Sequence, residues 1–130
     1  MIVDDHAGTR KMIRKLLDFL GTTFCECATG DEAVSRAREF KPDWVTMDVH
    51  MPGSNGFQST EALRKEYPPA RVILVTAHNE PHFLRLSHVA GAVALVCKEN
   101  LFVVRMILTN EMTSSNPLPS TSDSPSPTVS

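Results

Sequence analysis

The sequence predicts an α/β domain built on a doubly wound, five-stranded parallel sheet. Two patterns carry that prediction. Short apolar, β-rich runs alternate with stretches of helical periodicity five times over, and strict alternation implies parallel strands joined by right-handed crossovers. One run, Val72-Ile73-Leu74-Val75, is apolar throughout, as expected of a strand covered by helices on both faces.

The elements follow in order. Ile2-Val3 reads as the remnant of a first strand, and the chain begins almost inside it. Residues 7 to 20 read as a helix, because Met12, Ile13, Leu16, Leu17 and Leu20 share one face, and Gly21 suits its end. Thr22 to Cys27 is β-branched and aromatic enough for a second strand. A second helix covers 31 to 40, with Thr29 or Asp31 as its cap. Trp44 to Met47 is the third strand. A third helix spans 55 to 67 and stops at Pro68-Pro69. After the fourth strand, a helix over 80 to 90 has Asn79 as a candidate cap. Ala92 to Val96 is the fifth strand, and a fifth helix covers 100 to 112.

From Thr113 the composition changes. Fourteen of the last eighteen residues are Ser, Thr or Pro. Such a segment buries too little surface to offset its ordering entropy, so residues 113–130 are expected to be a disordered tail. Residues 1–112 form the one domain that 130 residues allow.

Composition excludes several classes of function. Thirteen basic and fifteen acidic residues give a net charge of -2, which offers no bulk attraction to nucleic acid or an anionic membrane. No apolar run reaches the ~20 residues of a membrane span. The first residues carry no signal-peptide pattern. Cys25, Cys27 and Cys97 are odd in number and lack a second ligand cluster, which fits a reducing cytosol better than a disulfide or zinc framework.

In open α/β sheets, ligands bind beyond the carboxyl ends of the strands. Here those ends carry Asp4 and Asp5, then Asp48, Thr76 and Lys98. A lone Asp after a strand is usually a turn residue; five complementary groups on four strand ends are harder to explain that way. Three clustered carboxylates repel one another unless a cation intervenes. Mg²⁺ suits such oxygen ligands and shared phosphate. The division of roles follows. Asp48 is the nucleophile that forms an aspartyl phosphate. Asp5 binds Mg²⁺ directly and Asp4 supports it through water. Lys98 neutralises a phosphoryl oxygen and Thr76 donates a hydrogen bond to another.

Together the Asp4-Asp5 pair, Asp48, Thr76-Ala77 and Lys98 resemble the response-regulator receiver signature. The segment Asp48-Val49-His50-Met51-Pro52-Gly53-Ser54-Asn55-Gly56 resembles that family's acceptor loop, and Gly91-Ala92 also fits. The likeness spans residues 1 to 112. It implies a flavodoxin-like (β/α)5 fold with strand order 2-1-3-4-5. It implies a cytoplasmic, stand-alone receiver domain of a two-component phosphorelay, a phosphoryl acceptor rather than an enzyme beyond its own dephosphorylation. The phosphoryl donor is implied to be a phosphohistidine on a sensor histidine kinase or a histidine phosphotransfer protein. A third metal contact is implied from the backbone carbonyl of His50. Phosphorylation is implied to switch the helix 4–strand 5–helix 5 surface for a downstream protein target or a second copy in a homodimer.

Three departures from the family pattern bear on output. Leu95 stands where an aromatic residue usually completes the switch. Glu99, not Pro, follows Lys98. The first strand is short, which predicts missing ladder bonds. His50 and His78, each two residues beyond a site residue, are candidates for tuning phosphoryl lifetime. Helix 5 carries apolar residues on more than one face, from Leu101 to Leu108, as a broadly buried helix or a partner surface would. Two other functions compete: a phosphate-independent docking module, supported by Leu95, and a Mg²⁺-dependent hydrolase with an aspartyl nucleophile. The hydrolase wants a second carboxylate two residues after the nucleophile, where this chain has His50.

Overall fold

The computed structural model describes residues 1–78 and 80–114. The central sheet is parallel, with strands β1 (Ile2–Val3), β2 (Glu26–Cys27), β3 (Trp44–Asp48), β6 (Arg71–Thr76) and β7 (Ala94–Cys97) in the order β2-β1-β3-β6-β7. Counting only these five strands, that is the expected 2-1-3-4-5. Helices α1 (Ala7–Leu17), α2 (Gly30–Phe40), α3 (Gly56–Glu66), α4 (Phe83–Ala90) and α5 (Phe102–Ser114) connect and cover them. A small antiparallel pair, β4 (His50–Met51) and β5 (Ser54–Asn55), lies between β3 and α3.

The sheet separates two apolar layers. One gathers Val3, Val45, Met47, Leu63, Val72 and Leu74, with Ala33 and Ala37 of α2. The other gathers Ile2, Ile73 and Val75 with Ile13 and Leu17 of α1 and Val104 and Leu108 of α5. Alternate residues of each strand face opposite layers, so the all-apolar fourth run serves both.

Local chemistry sets the helix ends. Thr29 caps α2, its hydroxyl accepting from Glu32 N at 3.0 Å, while Glu32 Oε1 accepts from Ala28 N at 2.8 Å. That settles the choice between Thr29 and Asp31. Asn55 caps α3 in the same way, accepting from Gln58 N at 2.8 Å. After α1 the chain tightens into a 3-10 turn, Asp18–Leu20, and Gly21 takes the left-handed conformation with φ 64°, which glycine adopts at little cost.

Several expected boundaries move. The second strand pairs only over Glu26–Cys27, not from Thr22, because β1 is its one sheet neighbour and is two residues long. The fourth helix starts at Phe83 rather than 80; Glu80 precedes Pro81, which disfavours its helical conformation. The fifth strand runs over Ala94–Cys97, and a 3-10 turn, Lys98–Asn100, precedes α5, which extends to Ser114. Asn79 and the tail from residue 115 onward lie outside the described residues. The β4–β5 hairpin was not expected; Pro52-Gly53 makes its turn, with Gly53 at φ 76°.

Helix α5 buries a single stripe of Val104 and Leu108, preceded by buried Leu101, and leaves Phe102 and Met106 more than half exposed. Its second apolar face is therefore a surface rather than core.

Leu63 is fully buried where α3 meets the first layer. Leu63→Ala should cost about 2–5 kcal/mol, read as a lower denaturation midpoint with an unchanged slope in urea.

Candidate functional site

Parallel register brings the site together. Val3 pairs with Met47 and Asp48 pairs with Val75. Asp4 therefore leaves β1 level with Asp48 at the end of β3, and Thr76 ends β6 one residue beyond. Lys98 follows directly on the last residue of β7. All four side chains emerge from one edge of the sheet.

Asp4 and Asp48 are 1% and 3% exposed, two carboxylates almost removed from water. Lys98 Nζ stands between them, 3.1 Å from Asp4 Oδ2 and 3.5 Å from Asp48 Oδ1. Burial pushes the Asp48 carboxyl above its usual range, and the like charge of Asp4 adds to this. Lys98 and the His50 backbone N–H oppose the rise without cancelling it. Burial also works against the Lys98 ammonium, but the two carboxylates outweigh it and hold its pKa above the usual value.

Asp4 is anchored on its other side. Its Oδ1 accepts from His6 N at 2.9 Å, and its backbone carbonyl accepts from Arg10 Nη1 at 2.6 Å. His6 Nδ1 lies 3.5 Å from Asp4 Oδ1 and 3.3 Å from Asp5 Oδ1. Asp5 thus joins the cluster through Asp4 and His6 rather than through Lys98. Neither His6 nor Arg10 had been singled out from the sequence. The available signal was position: His6 directly follows the Asp pair, and Arg10 lies one helical turn later.

Thr76 is fully buried, and its hydroxyl is engaged within its own loop. Oγ1 donates to His78 O at 2.8 Å and accepts from His78 N at 3.2 Å. The expected donor is in place along the strand, but its proton points to loop backbone. His50 is exposed, with its ring 5.7 Å from that of Phe83, which packs edge-on against Phe57 at 5.3 Å. Leu95 is half-buried against the first core layer.

The acceptor segment is pinned from both sides. Val49 N donates to Val75 O at 2.9 Å, and Gly56 N donates to Val49 O at 2.7 Å. A Cβ on Gly56 would lie 2.3 Å from Asp48 O and 2.9 Å from Val49 Cα. Only glycine lets α3 begin this close to the acceptor strand.

The residues fit a hard divalent cation. Asp4 Oδ2, beside Lys98 Nζ at 3.1 Å, and Asp5 Oδ1, beside His6 Nδ1 at 3.3 Å, are buried oxygens that each keep a further lone pair for a ligand. One ligand atom from each of Asp4, Asp5 and His6 lies within 4.8 Å of the others. Carboxylate oxygens are what such a cation takes.

Comparison with known proteins identifies the family. The family model described as "Response regulator receiver domain" matches residues 1–103. The chain is 37% identical over 100 residues to response regulator GacA of Pseudomonas viridiflava, covering 75% of this chain and 47% of that protein. It is 34% identical over 99 residues to chemotaxis protein CheY of Thermotoga maritima, covering 75% and 82%. Among solved structures, a two-component response regulator of the LuxR family from an Aurantimonas species superposes with a TM-score of 0.79 at 29% identity, covering 87% of this chain and 83% of that one. The chain spans about half the length of GacA and of several other curated relatives.

Two outcomes follow from the geometry. Gly56→Ala should force α3 away from Asp48 O, destabilising the fold by about 1–3 kcal/mol in thermal melts. Asp48 is held above its ordinary pKa, so its ionised form opposes folding. The penalty is absent below the unfolded pKa of about 4 and grows as pH rises through the folded value. Without divalent cation, Asp48→Asn should therefore melt higher than the parent at pH 7, and the gap should close below about pH 4.

Proposed function

We propose, from the premise that this chain belongs to the response regulator receiver domain family, that Asp48 accepts a phosphoryl group from a phosphohistidine on a sensor histidine kinase or a histidine phosphotransfer protein. The observation that carries this reading is the buried Asp4–Lys98–Asp48 arrangement, a carboxylate nucleophile with its counter-charge at the mouth of a parallel sheet.

The chemistry runs as follows. An Asp48 carboxylate oxygen forms the new O–P bond while the donor N–P bond breaks, and the departing imidazole keeps the electron pair. Lys98 stands 3.5 Å from Asp48 Oδ1 and neutralises a phosphoryl oxygen. Thr76 supplies its hydroxyl to another oxygen once released from His78. Mg²⁺, held by Asp4, Asp5, Asp48 and the His50 carbonyl, would screen the negative charge between nucleophile and phosphoryl group. His6, beside Asp4 and Asp5, keeps both carboxylates oriented. The protein is a phosphorylation-controlled signalling module acting in the cytoplasm on a downstream protein. Its output surface is α4, β7 and α5, where Leu84, Val89 and Phe102 are exposed, as is Val93 just before β7; pairing with a second copy through this face is part of the proposal. No helix among the described residues is long and apolar enough to cross a membrane.

A second reading, a phosphate-independent docking module, is favoured by Leu95 and by the engaged Thr76 hydroxyl.

Incubation with Mg²⁺ and acetyl phosphate or phosphoramidate, followed by intact mass measurement, should show one added phosphoryl group. The adduct should be absent in Asp48→Asn and after chelation of Mg²⁺. No adduct with either donor would favour the docking module. Lys98→Ala should slow adduct formation at least tenfold, on the order of losing about 1.4 kcal/mol or more of charge stabilisation.

A further inference from the structure

Neighbouring side chains of a strand point to opposite faces of the sheet. In β2, Cys27 faces the first core layer, and Glu26 beside it faces α1. Two arginines of α1 meet the Glu26 carboxylate. Arg14 Nη1 donates to Oε2 at 2.9 Å, and Arg10 Nε donates to Oε1 at 3.1 Å. Arg14 is half exposed and reaches no further. Arg10 is 18% exposed and continues inward, where its Nη1 donates to the backbone carbonyl of Asp4 at 2.6 Å.

That carbonyl lies where the ladder stops. Asp4 N donates to Cys27 O at 3.1 Å, and Cys27 is the end of β2. In a parallel ladder the N–H and C=O of one residue face the same neighbour, so Asp4 O points past that end, and the guanidinium meets it there. Arg10 also holds the far side of Asp5, its own backbone N–H donating to His6 O at 3.1 Å. Asp5 therefore sits between two carbonyls, of Asp4 and His6, that a single residue binds. The peptide unit joining Asp4 to Asp5 is planar, so a fixed Asp4 carbonyl fixes the Asp5 N–Cα bond. These bonds go to main chain and to Glu26. The carboxylates of Asp4 and Asp5 meet Lys98 and His6 instead.

We infer that Arg10, held by Glu26, is a positioning residue for the divalent cation: it fixes the Asp4–Asp5 peptide and so the direction from which the Asp5 carboxylate reaches the ion. The inference rests on Asp4 and Asp5 being the Mg²⁺ ligands proposed above. Lys98 acts on the charge of the site, because its ammonium lies against carboxylate oxygens. Arg10 acts on geometry, because its bonds leave those oxygens untouched. The task needs a guanidinium. Nε takes Glu26 while Nη1 takes Asp4 O, and a planar fork spans two acceptors that a single ammonium does not hold in the same geometry. Residues that orient metal ligands without touching the metal are typically worth about 10–100-fold in metal affinity.

The test is Mg²⁺ titration by calorimetry on the full chain and on Arg10→Ala, Arg10→Lys and Arg14→Ala, each well below its own melting temperature. Arg10→Ala should bind Mg²⁺ about 10–100-fold more weakly than the parent. Arg10→Lys, with a charge but no fork, should stay at least about tenfold weaker. Arg14→Ala removes an exposed ion pair and should stay within about twofold. With acetyl phosphate at saturating Mg²⁺, Arg10→Ala should reach a maximal rate of adduct formation within about threefold of the parent, the loss appearing only in the Mg²⁺ concentration required. Parent-like affinity in Arg10→Ala would overturn the inference. So would full recovery in Arg10→Lys, which would make the effect one of charge, or an equal loss in Arg14→Ala, which would make it a loosening of α1. A fall in maximal rate at unchanged affinity would overturn it as well. A parent chain that binds no Mg²⁺ would instead sink the assignment of Asp4 and Asp5 as ligands, and this inference with it.

Discussion

Two carboxylates buried side by side at a sheet edge need a positive charge, and Lys98 supplies it. Its ammonium lies within 3.5 Å of both Asp4 and Asp48. The contact joins the ends of three strands, β1, β3 and β7, that are far apart in sequence. Without it, burial and mutual repulsion would drive one carboxylate to its neutral form. With it, Asp48 keeps a counter-charge at 3.5 Å although its side chain is almost removed from water. The parallel register, the β3 acceptor segment and the 3-10 turn that begins at Lys98 all serve to hold this three-residue arrangement.

Much of this was legible in the sequence because it follows from period and position. The five-fold alternation, the apolar Val72–Val75 run and the capping residue Thr29 each have a local physical cause, and each appears where that cause puts it. The strand-end residues Asp4, Asp48 and Lys98 come together because a parallel sheet aligns its carboxyl ends. The boundaries of β2 were not legible. Thr22 to Phe24 have strand chemistry, but pairing depends on a neighbour, and β1 offers two residues. The β4–β5 hairpin was hidden because Met51-Pro52-Gly53-Ser54 reads only as a turn. The roles of His6 and Arg10 depend on side-chain reach across the site, which sequence spacing does not encode. The close approach of Gly56 to Asp48 O is likewise a tertiary fact: Gly56 was visible as a loop residue, but what stands opposite its missing side chain was not.

Aromatic packing connects the acceptor segment to α4 without a strand-five ring. Leu95 occupies that strand and packs into the core. Phe83, the first residue of α4, instead touches His50 of the hairpin that follows Asp48, and Phe57 of α3. The start of α4 is thereby in contact with the acceptor segment, and α4 also carries the exposed Leu84 and Val89. Packed interiors transmit displacement with little slack, so a change at the hairpin has a short path to that face.

The Thr76 hydroxyl holds both backbone hydrogen-bonding groups of His78. A hydroxyl has one proton to give, so it cannot donate to His78 and to a new acceptor at once. Recruiting that proton to the site releases the His78 carbonyl, and keeping the loop closed withholds it. Loop shape and the availability of that hydroxyl are therefore a single equilibrium, so a ligand of the freed hydroxyl and a partner of the open loop would each raise the other's affinity by one common factor.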